Sequence, residues 1–135
     1  MTESVSFSMQ AEIGGVYIIS QRDGPSTGTP TFMGQGDLFL ALYSAFGETS
    51  PIVLAPSNFK ECYEMIGDAL NCSDQYQHPV IVLVDKLLSE GYCTIVQNQL
   101  KKTEIERGKL HQPQETDQYL RYQVTEDGIS PYAFP

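Results

Sequence analysis

The sequence is poor in several residue types, and each shortage excludes a class of protein. It has no tryptophan, only 2 histidines and only 8 lysines and arginines in 135 residues, against 17 aspartates and glutamates. The net charge of −9 argues against binding to nucleic acid or to an anionic membrane surface. No apolar run approaches the roughly 18 residues of a membrane span, and the chain does not open on a basic segment followed by an apolar one. We therefore expect no membrane contact and a cytoplasmic location.

Cysteine and histidine are too scarce and too scattered to indicate a metal site or a disulfide framework. The cysteines are Cys62, Cys72 and Cys93, with no CxxC or CxH spacing. Cys62 and Cys72 fall in one predicted helix, almost three turns apart, which is too far to bridge. We predict reduced thiols that serve as packing groups. The histidines, His78 and His111, have no neighbouring base or nucleophile and are predicted to be surface residues.

Three short apolar runs predict the strands of an α/β fold. They lie at residues 16–20, 52–55 and 80–84, and residues 36–46 and 59–76 carry apolar side chains at helical spacing. Apolar runs separated by helices are typical of parallel strands that are buried on both faces. We therefore predict a parallel sheet flanked by helices. Three strands are few for such a sheet, so the chain is expected to form only part of a domain.

Residue types at the predicted helix ends suggest where each helix begins. Asp37 suits the start of the first of these two helices and Gly47 its end. Ser57 or Asn58 is positioned to cap the second, and Glu61 lies in its first turn, near the positive end of the helix dipole.

The character of the chain changes after the third strand. We assign residues 1–92 to the partial α/β domain and residues 93–135 to an extended C-terminal arm that leads toward a further domain. A short strand is predicted at residues 93–96. The rest of the arm is polar and without sustained periodicity, and we predict a solvated segment that wraps a partner. Its basic residues alternate with acidic ones, which favours a solvated face; they are Lys101, Lys102, Arg107 and Lys109.

The most informative segment is the loop after the first strand, residues 21–35, here named the Arg22 loop. It is dense in glycine, proline, serine and threonine, and a single arginine, Arg22, stands at its start. The planar guanidinium of Arg22 suits a carboxylate or a phosphate, and the alternative is an ion pair with Asp23 or Asp37. Asp85, at the end of the third strand, is predicted either to face a site here or to cap the next turn.

The chain resembles the alpha subunits of 2-oxoacid:ferredoxin oxidoreductases from about residue 9 to residue 135. The segments that carry the resemblance are Gln21-Arg22-x-Gly24-Pro25-Ser26-Thr27-Gly28-x-Pro30-Thr31, Gln35-Gly36-Asp37-Leu38, Ile52-Val53-Leu54-Ala55-Pro56-Ser57, Glu61-Cys62, Pro79-Val80-Ile81-Val82-Leu83 with Asp85, Arg107-Gly108-Lys109, and Thr125-Glu126-Asp127-Gly128-Ile129-Ser130-Pro131.

The resemblance implies a fold, a reaction and a pair of site residues. The fold is the pyrimidine-side domain of a thiamine diphosphate enzyme, of which the second half is present. The reaction is oxidative decarboxylation of a 2-oxoacid to an acyl-CoA, with electrons passed through iron–sulfur centres to ferredoxin. Thiamine diphosphate and Mg are held mainly by other segments or by the beta subunit. Arg22 and Thr31 match the positions that contact the carboxylate and a nearby oxygen of the 2-oxoacid, whereas Thr27 is predicted to serve the turn.

Departures from the family pattern limit what this chain can do alone. No residue matches the glutamate that protonates the cofactor ring in this family, since Glu12 lies just before the first strand, in the wrong place. The Gly-Asp-Gly…Asn motif that holds Mg is absent too. We expect no catalytic residue in the chain, no cofactor bound to it alone and no activity of the isolated chain. Asp23 stands where relatives often have glycine, and its charge is expected to weaken anion binding by Arg22.

Two functions remain open at this point. The first is a fragment or truncated alpha subunit that contributes to 2-oxoacid binding, with the beta subunit, ferredoxin and CoA as partners in the full complex. The alternative is a non-catalytic split-gene module that self-associates through its exposed sheet edge as a homodimer, because an unpaired edge strand readily pairs. Nothing in the residues distinguishes pyruvate from 2-oxoglutarate or a larger 2-oxoacid as the substrate.

Overall fold

The computed structural model describes residues 1–112 and 118–133. Three strands, four α-helices and one short 3-10 helix follow each other in these ranges. In chain order they are α1 (Thr2–Gln10), β1 (Gly15–Gln21), α2 (Leu38–Leu42), β2 (Ile52–Leu54), α3 (Phe59–Tyr76), β3 (Pro79–Asp85), α4 (Lys86–Glu90) and the 3-10 helix Gln97–Gln99. None of the helices in the described ranges is long and apolar enough to cross a membrane.

The three strands form one parallel sheet in the order β1-β3-β2. Strand β1 pairs with β3 along its whole length, from Gly15 opposite Pro79 to Gln21 opposite Asp85. Strand β3 is the central strand and is buried along almost its entire length, which explains why its sequence is apolar on both faces. The predicted α/β class with a parallel sheet flanked by helices is confirmed.

Helices cover both faces of the sheet and divide the core in two. On one face, Ala69 of α3 packs with Val80, Val82 and Val84. On the other, Ala41 of α2 packs with the remaining apolar residues of β3, Ile81 and Leu83. Cys62 and Cys72 lie at the edge of the α3 cluster, as predicted for packing groups, whereas Cys93 is exposed and the packing prediction is wrong for it.

Helix α3 has the bounds that the sequence predicts, and its first turn explains why. Asn58 accepts a hydrogen bond from the backbone nitrogen of Glu61 at 2.9 Å, so Asn58 is the cap. The Glu61 carboxylate accepts in return from the backbone nitrogen of Ser57 at 2.7 Å and from its hydroxyl at 2.8 Å. The backbone nitrogen of Ser57 first, and then its hydroxyl, hold the pKa of Glu61 below its usual value.

Two predicted elements are wrong. Helix α2 covers only Leu38–Leu42, not residues 36–46, and Asp37 makes no side-chain cap bond. One reason is that Ser44 is buried and its hydroxyl donates to the Ala41 carbonyl, which competes with continued helical bonding. The strand predicted at residues 93–96 is irregular and pairs with none of the three strands of the sheet.

The arm contacts the body of its own chain, where the sequence predicted a solvated segment around a partner. Asn71 on α3 donates to the Glu104 carbonyl at 2.6 Å and accepts from the Glu106 backbone nitrogen at 2.9 Å. Gly67 makes this close approach possible, because a Cβ at Gly67 would lie 2.5 Å from the Thr103 hydroxyl oxygen. Residues 113–117 and 134–135 of the predicted arm lie outside the described residues, and the division after residue 92 stays a prediction.

Arg121 attaches the last described segment, residues 118–133, to the other end of α3. Its guanidinium donates to the Gln77 side-chain oxygen at 2.7 Å and to the Ser130 hydroxyl at 2.9 Å. The same group forms an ion pair with Glu12 at 3.3 Å and donates to the Glu12 carbonyl. These contacts join residues from the start, the middle and the end of the chain, and the sequence analysis missed them.

Candidate functional site

The carboxyl ends of the strands meet at a cleft of about 350 Å³. Gln21 ends β1 and lies opposite Asp85 at the end of β3, and the Arg22 loop leaves the sheet at the end of β1. Gln35 and Ser57 complete the polar part of the wall. Crevices outside the carboxyl ends of parallel strands are the usual ligand sites of open α/β sheets.

Asp85 fulfils both of the roles that the sequence left open. One carboxylate oxygen caps α4 by accepting from the Leu88 backbone nitrogen at 2.9 Å, and the other accepts from the Gln35 amide at 3.0 Å in the cleft. The Leu88 backbone bond, and after it the Gln35 side chain, hold the pKa of Asp85 below its usual value. Asp85 is therefore ionised at neutral pH and is unsuited to donating a proton there.

The Gln21 side chain shapes the cleft, and the sequence analysis assigned it no part there. Gln21 is 6 % exposed, and its side-chain oxygen accepts from the backbone nitrogen of Asp37 at 3.1 Å. This bond fixes the far end of the Arg22 loop to the strand from which the loop departs. The residue type of a glutamine does not by itself indicate a site. Only the pairing of Gln21 with Asp37, beyond the loop, could have indicated this role.

The Arg22 loop folds back on itself through bonds between its two sides. Thr29 donates from its backbone nitrogen to the Asp23 carbonyl at 3.1 Å and from its hydroxyl to the Asp23 carboxylate at 2.9 Å. Asp23 in turn donates from its backbone nitrogen to the Phe32 carbonyl at 3.4 Å. At Gly28 the backbone has φ +51°, and a Cβ would collide with the Asp23 carbonyl, so this turn requires glycine.

Both predicted substrate residues precede, in the chain, a residue of the contact that closes the loop. Arg22 precedes Asp23 and Thr31 precedes Phe32, and Asp23 and Phe32 are joined by the 3.4 Å bond. Both side chains are exposed. Within residues 1–112 and 118–133, Arg22 forms no ion pair, so the alternative pairing with Asp23 or Asp37 does not occur there. The guanidinium is open to an anion, and its substrate role stays a prediction.

The remaining polar residues singled out in the sequence have structural partners. His78 bonds the Ser50 carbonyl at 3.0 Å, and the His111 ring lies 4.7 Å from that of Tyr119. Lys109 pairs with Asp127 at 2.5 Å, and this bond is the main cause that lowers the pKa of Asp127 to about 2. In the part of the chain that the structure describes, no three His, Cys, Asp or Glu side chains are grouped so as to hold a metal ion.

Cys62 lies close to the cleft without being activated by it. Burial first, and then the negative charges of Asp85 and Glu61, raise the pKa of its thiol above the usual value. A thiol with a raised pKa is a poor nucleophile at neutral pH. The prediction of an unreactive packing cysteine therefore agrees with its surroundings.

Comparison with known proteins now identifies the family. Residues 1–132 match the family described as "Pyruvate flavodoxin/ferredoxin oxidoreductase, thiamine diP-bdg". The chain belongs to this family. This confirms the resemblance to 2-oxoacid:ferredoxin oxidoreductase alpha subunits that the sequence motifs indicated.

Similar proteins in the pyruvate flavodoxin/ferredoxin oxidoreductase family are subunits of larger enzymes. The chain is 42 % identical to the alpha subunit of 2-oxoacid:ferredoxin oxidoreductase 2 from Aeropyrum pernix, over 98 % of this chain and 21 % of that protein. It is 31 % identical to a 2-oxoglutarate synthase subunit from Methanothermobacter thermautotrophicus, over 96 % of this chain and 34 % of that protein. The chain thus spans between about a fifth and a third of these curated relatives.

A solved structure of the same family has the same fold. It is the 2-oxoglutarate:ferredoxin oxidoreductase from Magnetococcus marinus with 2-oxoglutarate, coenzyme A and succinyl-CoA bound, and it matches with a TM-score of 0.84 at 35 % identity. The match covers 100 % of this chain and 23 % of that one. The three-stranded parallel sheet and its helices therefore correspond to the thiamine diphosphate-binding domain of this family.

The cleft does not fit the part of the thiamine cofactor that needs an acid. An aminopyrimidine ring is protonated by a carboxyl group whose pKa lies near neutrality. The carboxylate that lines the cleft, Asp85, has both oxygens occupied as acceptors and a lowered pKa. Glu61, at the start of α3, also has a lowered pKa. Neither Asp85 nor Glu61 therefore supplies the acid that the aminopyrimidine ring needs.

Proposed function

We propose that this chain provides the 2-oxoacid-binding loop of a 2-oxoacid:ferredoxin oxidoreductase alpha subunit. The observation that carries the proposal is the open guanidinium of Arg22 at the start of a closed loop, which also contains Thr31, at the carboxyl edge of a sheet of this family. A guanidinium fork pairs with a planar carboxylate, and a threonine hydroxyl can donate to the adjacent keto oxygen. Arg22 and Thr31 are thus proposed as substrate-binding residues.

The reaction of the whole enzyme is part of the same proposal. A 2-oxoacid reacts with CoA to give an acyl-CoA and carbon dioxide, and the two electrons released are accepted by ferredoxin. Thiamine diphosphate supplies the carbanion chemistry at the carbonyl carbon. We assign the cofactor, its Mg and the acid–base group to other segments or to the beta subunit. The isolated chain is therefore expected to be inactive, and we place the enzyme in the cytoplasm.

An apolar surface beside the site supports a partner subunit. Phe39, Tyr43 and Phe46, on and after α2, are 72 %, 74 % and 65 % exposed. The rings of Phe39 and Tyr43 stack on each other at 6.2 Å, and Phe32 and Met33 in the Arg22 loop are exposed as well. Contiguous exposed apolar side chains on a soluble fold mark interaction surfaces. We propose the beta subunit as the partner there, in preference to a homodimer through the sheet edge.

The test of the substrate role uses the assembled enzyme that contains this chain. Arg22→Ala is expected to reduce kcat/KM for the 2-oxoacid about 100-fold or more, because a charge-assisted hydrogen-bonded pair is lost. Arg22→Lys keeps the charge but not the planar fork. Its kcat/KM is expected to lie between that of the unaltered enzyme and that of Arg22→Ala. Reduction of an artificial dye is followed with 2-oxoglutarate and with pyruvate. Unchanged kcat/KM in Arg22→Ala for both 2-oxoacids would refute the substrate role.

Arg107→Ala is the matched control. It removes the same charge from a different face, where Arg107 pairs with Asp74 at 2.6 Å. Because this pair lies toward the C-terminal end of α3, away from the carboxyl edge of the sheet, kcat/KM is expected to change less than about twofold, on the scale of an exposed ion pair. Equal losses in the two variants would show that total charge, and not Arg22 itself, determines the affinity.

A further inference from the structure

Thr29 forms two hydrogen bonds with Asp23, the acidic residue that follows Arg22. Thr29 donates its hydroxyl to the Asp23 carboxylate at 2.9 Å and its backbone nitrogen to the Asp23 carbonyl at 3.1 Å. The two residues also form an isolated antiparallel bridge. Thr29 therefore holds both the side chain and the backbone of Asp23. In the sequence, Thr29 belongs to the returning side of the loop, whereas Arg22 stands at its start.

The charges of Arg22 and Asp23 make this contact informative. Adjacent residues of opposite sign on an exposed loop attract each other on the scale of an exposed ion pair. In the described residues, however, the carboxylate of Asp23 bonds Thr29, and Arg22 has no ion-pair partner. A hydroxyl supplies the hydrogen bond that the guanidinium would otherwise donate, without adding a charge.

We propose that Thr29 is a positioning residue that keeps the Asp23 carboxylate away from Arg22. The guanidinium then stays available to the carboxylate of a 2-oxoacid, so this inference rests on the proposed function for the identity of its ligand. Without the Thr29 hydroxyl, Asp23 turns to Arg22 and competes with the substrate for the same donors. Competition for the free enzyme weakens binding, so KM rises while kcat is unchanged.

The contact also explains how the loop accommodates an acidic residue beside its anion-binding arginine. A neighbouring carboxylate that is free to approach the Arg22 guanidinium lowers the affinity of that guanidinium for an anionic ligand. The Thr29 bond leaves the charge of Asp23 in the neighbourhood but removes its direct contact. Replacing Asp23 by asparagine keeps an acceptor for Thr29 and abolishes the competitor.

The kinetic test is a double-mutant cycle in the assembled enzyme that contains this chain, with 2-oxoglutarate as the substrate. Thr29→Val is isosteric and is expected to raise KM about two- to fivefold with unchanged kcat, on the scale of an exposed ion pair. Thr29→Ser keeps the hydroxyl and is expected to match the unaltered enzyme. Asp23→Asn combined with Thr29→Val is expected to restore KM, because no competing carboxylate remains.

Collapse of the loop predicts a different result. If Thr29 only supports the backbone, Thr29→Val loses activity whether or not Asp23 carries a charge, and the double variant is not rescued. A double variant as impaired as Thr29→Val would overturn the proposal, and so would an unchanged KM in Thr29→Val.

A second readout does not depend on substrate. In the full chain without ligand, the 15N resonance of the Arg22 side-chain Nε–H reports on ion pairing. Thr29→Val is expected to shift this resonance, and the double variant is expected to return it. If Arg22→Ala leaves KM unchanged, the proposed function fails while this resonance still tests the contact. If Arg22→Ala raises KM but Thr29→Val shifts neither KM nor the resonance, only the positioning role fails.

Discussion

Arg121 donates a hydrogen bond to the side-chain oxygen of Gln77 at 2.7 Å, which joins the last described segment to the residue that ends α3. Gln77 has a left-handed backbone with φ +51° and is 5 % exposed. Its side-chain nitrogen donates to the Ser130 carbonyl at 2.6 Å, so both ends of the amide are bound. A non-glycine residue in this conformation costs free energy, and these tertiary bonds offset that cost.

The first prediction concerns this contact. Arg121→Met keeps much of the aliphatic stem but leaves the Gln77 oxygen and the Glu12 carbonyl without their charged donor. We expect the free energy of unfolding to fall by about 2–3 kcal/mol, the cost of buried acceptors left unsatisfied. Urea denaturation followed by circular dichroism measures it.

Lys60→Met is the control for that measurement. Lys60, whose side chain is half exposed, pairs with Glu64 at 3.6 Å, one turn away on α3. Such pairs contribute less than about 0.5 kcal/mol. Equal losses of stability in Lys60→Met and Arg121→Met would contradict the role assigned to Arg121.

A second prediction concerns the turn at Gly28. Gly28→Ala introduces a Cβ that collides with the Asp23 carbonyl at φ +51°, so the bonds between Asp23 and Thr29 are expected to break. Because the turn is exposed, the sheet should stay folded while amide hydrogen exchange at Thr29 accelerates. Gly36→Ala is the matched control, since a Cβ at Gly36 would meet nothing within 4 Å. Similar exchange rates in both variants would contradict the requirement for glycine.

A third prediction compares two residues at helix starts. Asn58 caps α3 with a bond to the Glu61 backbone nitrogen at 2.9 Å, whereas Asp37 begins α2 without any side-chain cap bond. Asn58→Ala is therefore expected to cost about 1 kcal/mol of unfolding free energy. Asp37→Ala should change the stability by less than half of that. The reverse order in thermal denaturation would show that the capping bond at Asn58 contributes little.

A fourth prediction concerns acid. The pKa of Asp127 is lowered from 3.8 to about 2. The main cause is the hydrogen bond from Lys109, and the next is the bond from the Ile129 backbone nitrogen. A carboxyl whose pKa is lower in the folded state contributes stability above its unfolded value, and this contribution is lost as the pH falls. The contribution of Asp127 should thus disappear between about pH 4 and pH 2. Carboxyl carbon NMR titration measures the pKa directly, and Lys109→Met should return it toward 3.8.

Local patterns predicted the fold where a single segment determines its own structure. Strand β3 was predicted from an unbroken apolar run, and α3 from its stripe and from the capping residues before Phe59. The predicted length of α2 was wrong because the burial of Ser44 is a tertiary effect, which a local pattern does not show. The contacts of the arm were missed because they depend on Gly67 and Arg121, which meet partners distant in the sequence.

The candidate site could be predicted only in part, again because local patterns do not show which distant residues meet. Arg22 was singled out because a lone arginine in a loop of small residues is unusual. Thr29 was missed, since nothing in its residue type shows that the loop returns to bring it against Asp23. The available signal was positional: Asp23 and Thr29 flank Gly24 and Gly28 symmetrically, as the two sides of a closed turn would.

The sheet order β1-β3-β2 also constrains how the chain folds. Of the three strands that the structure describes, β1 and β2 come earlier in the chain, do not pair with each other and are joined only through β3. On a ribosome, neither of these two strands can pair within the described sheet until Pro79–Asp85 has emerged. Sheet formation must wait for these long-range contacts, which makes folding slow compared with a helical bundle and makes it cooperative around a single strand. Translation that stalls before β3 would expose both early strands to aggregation and to chaperone capture.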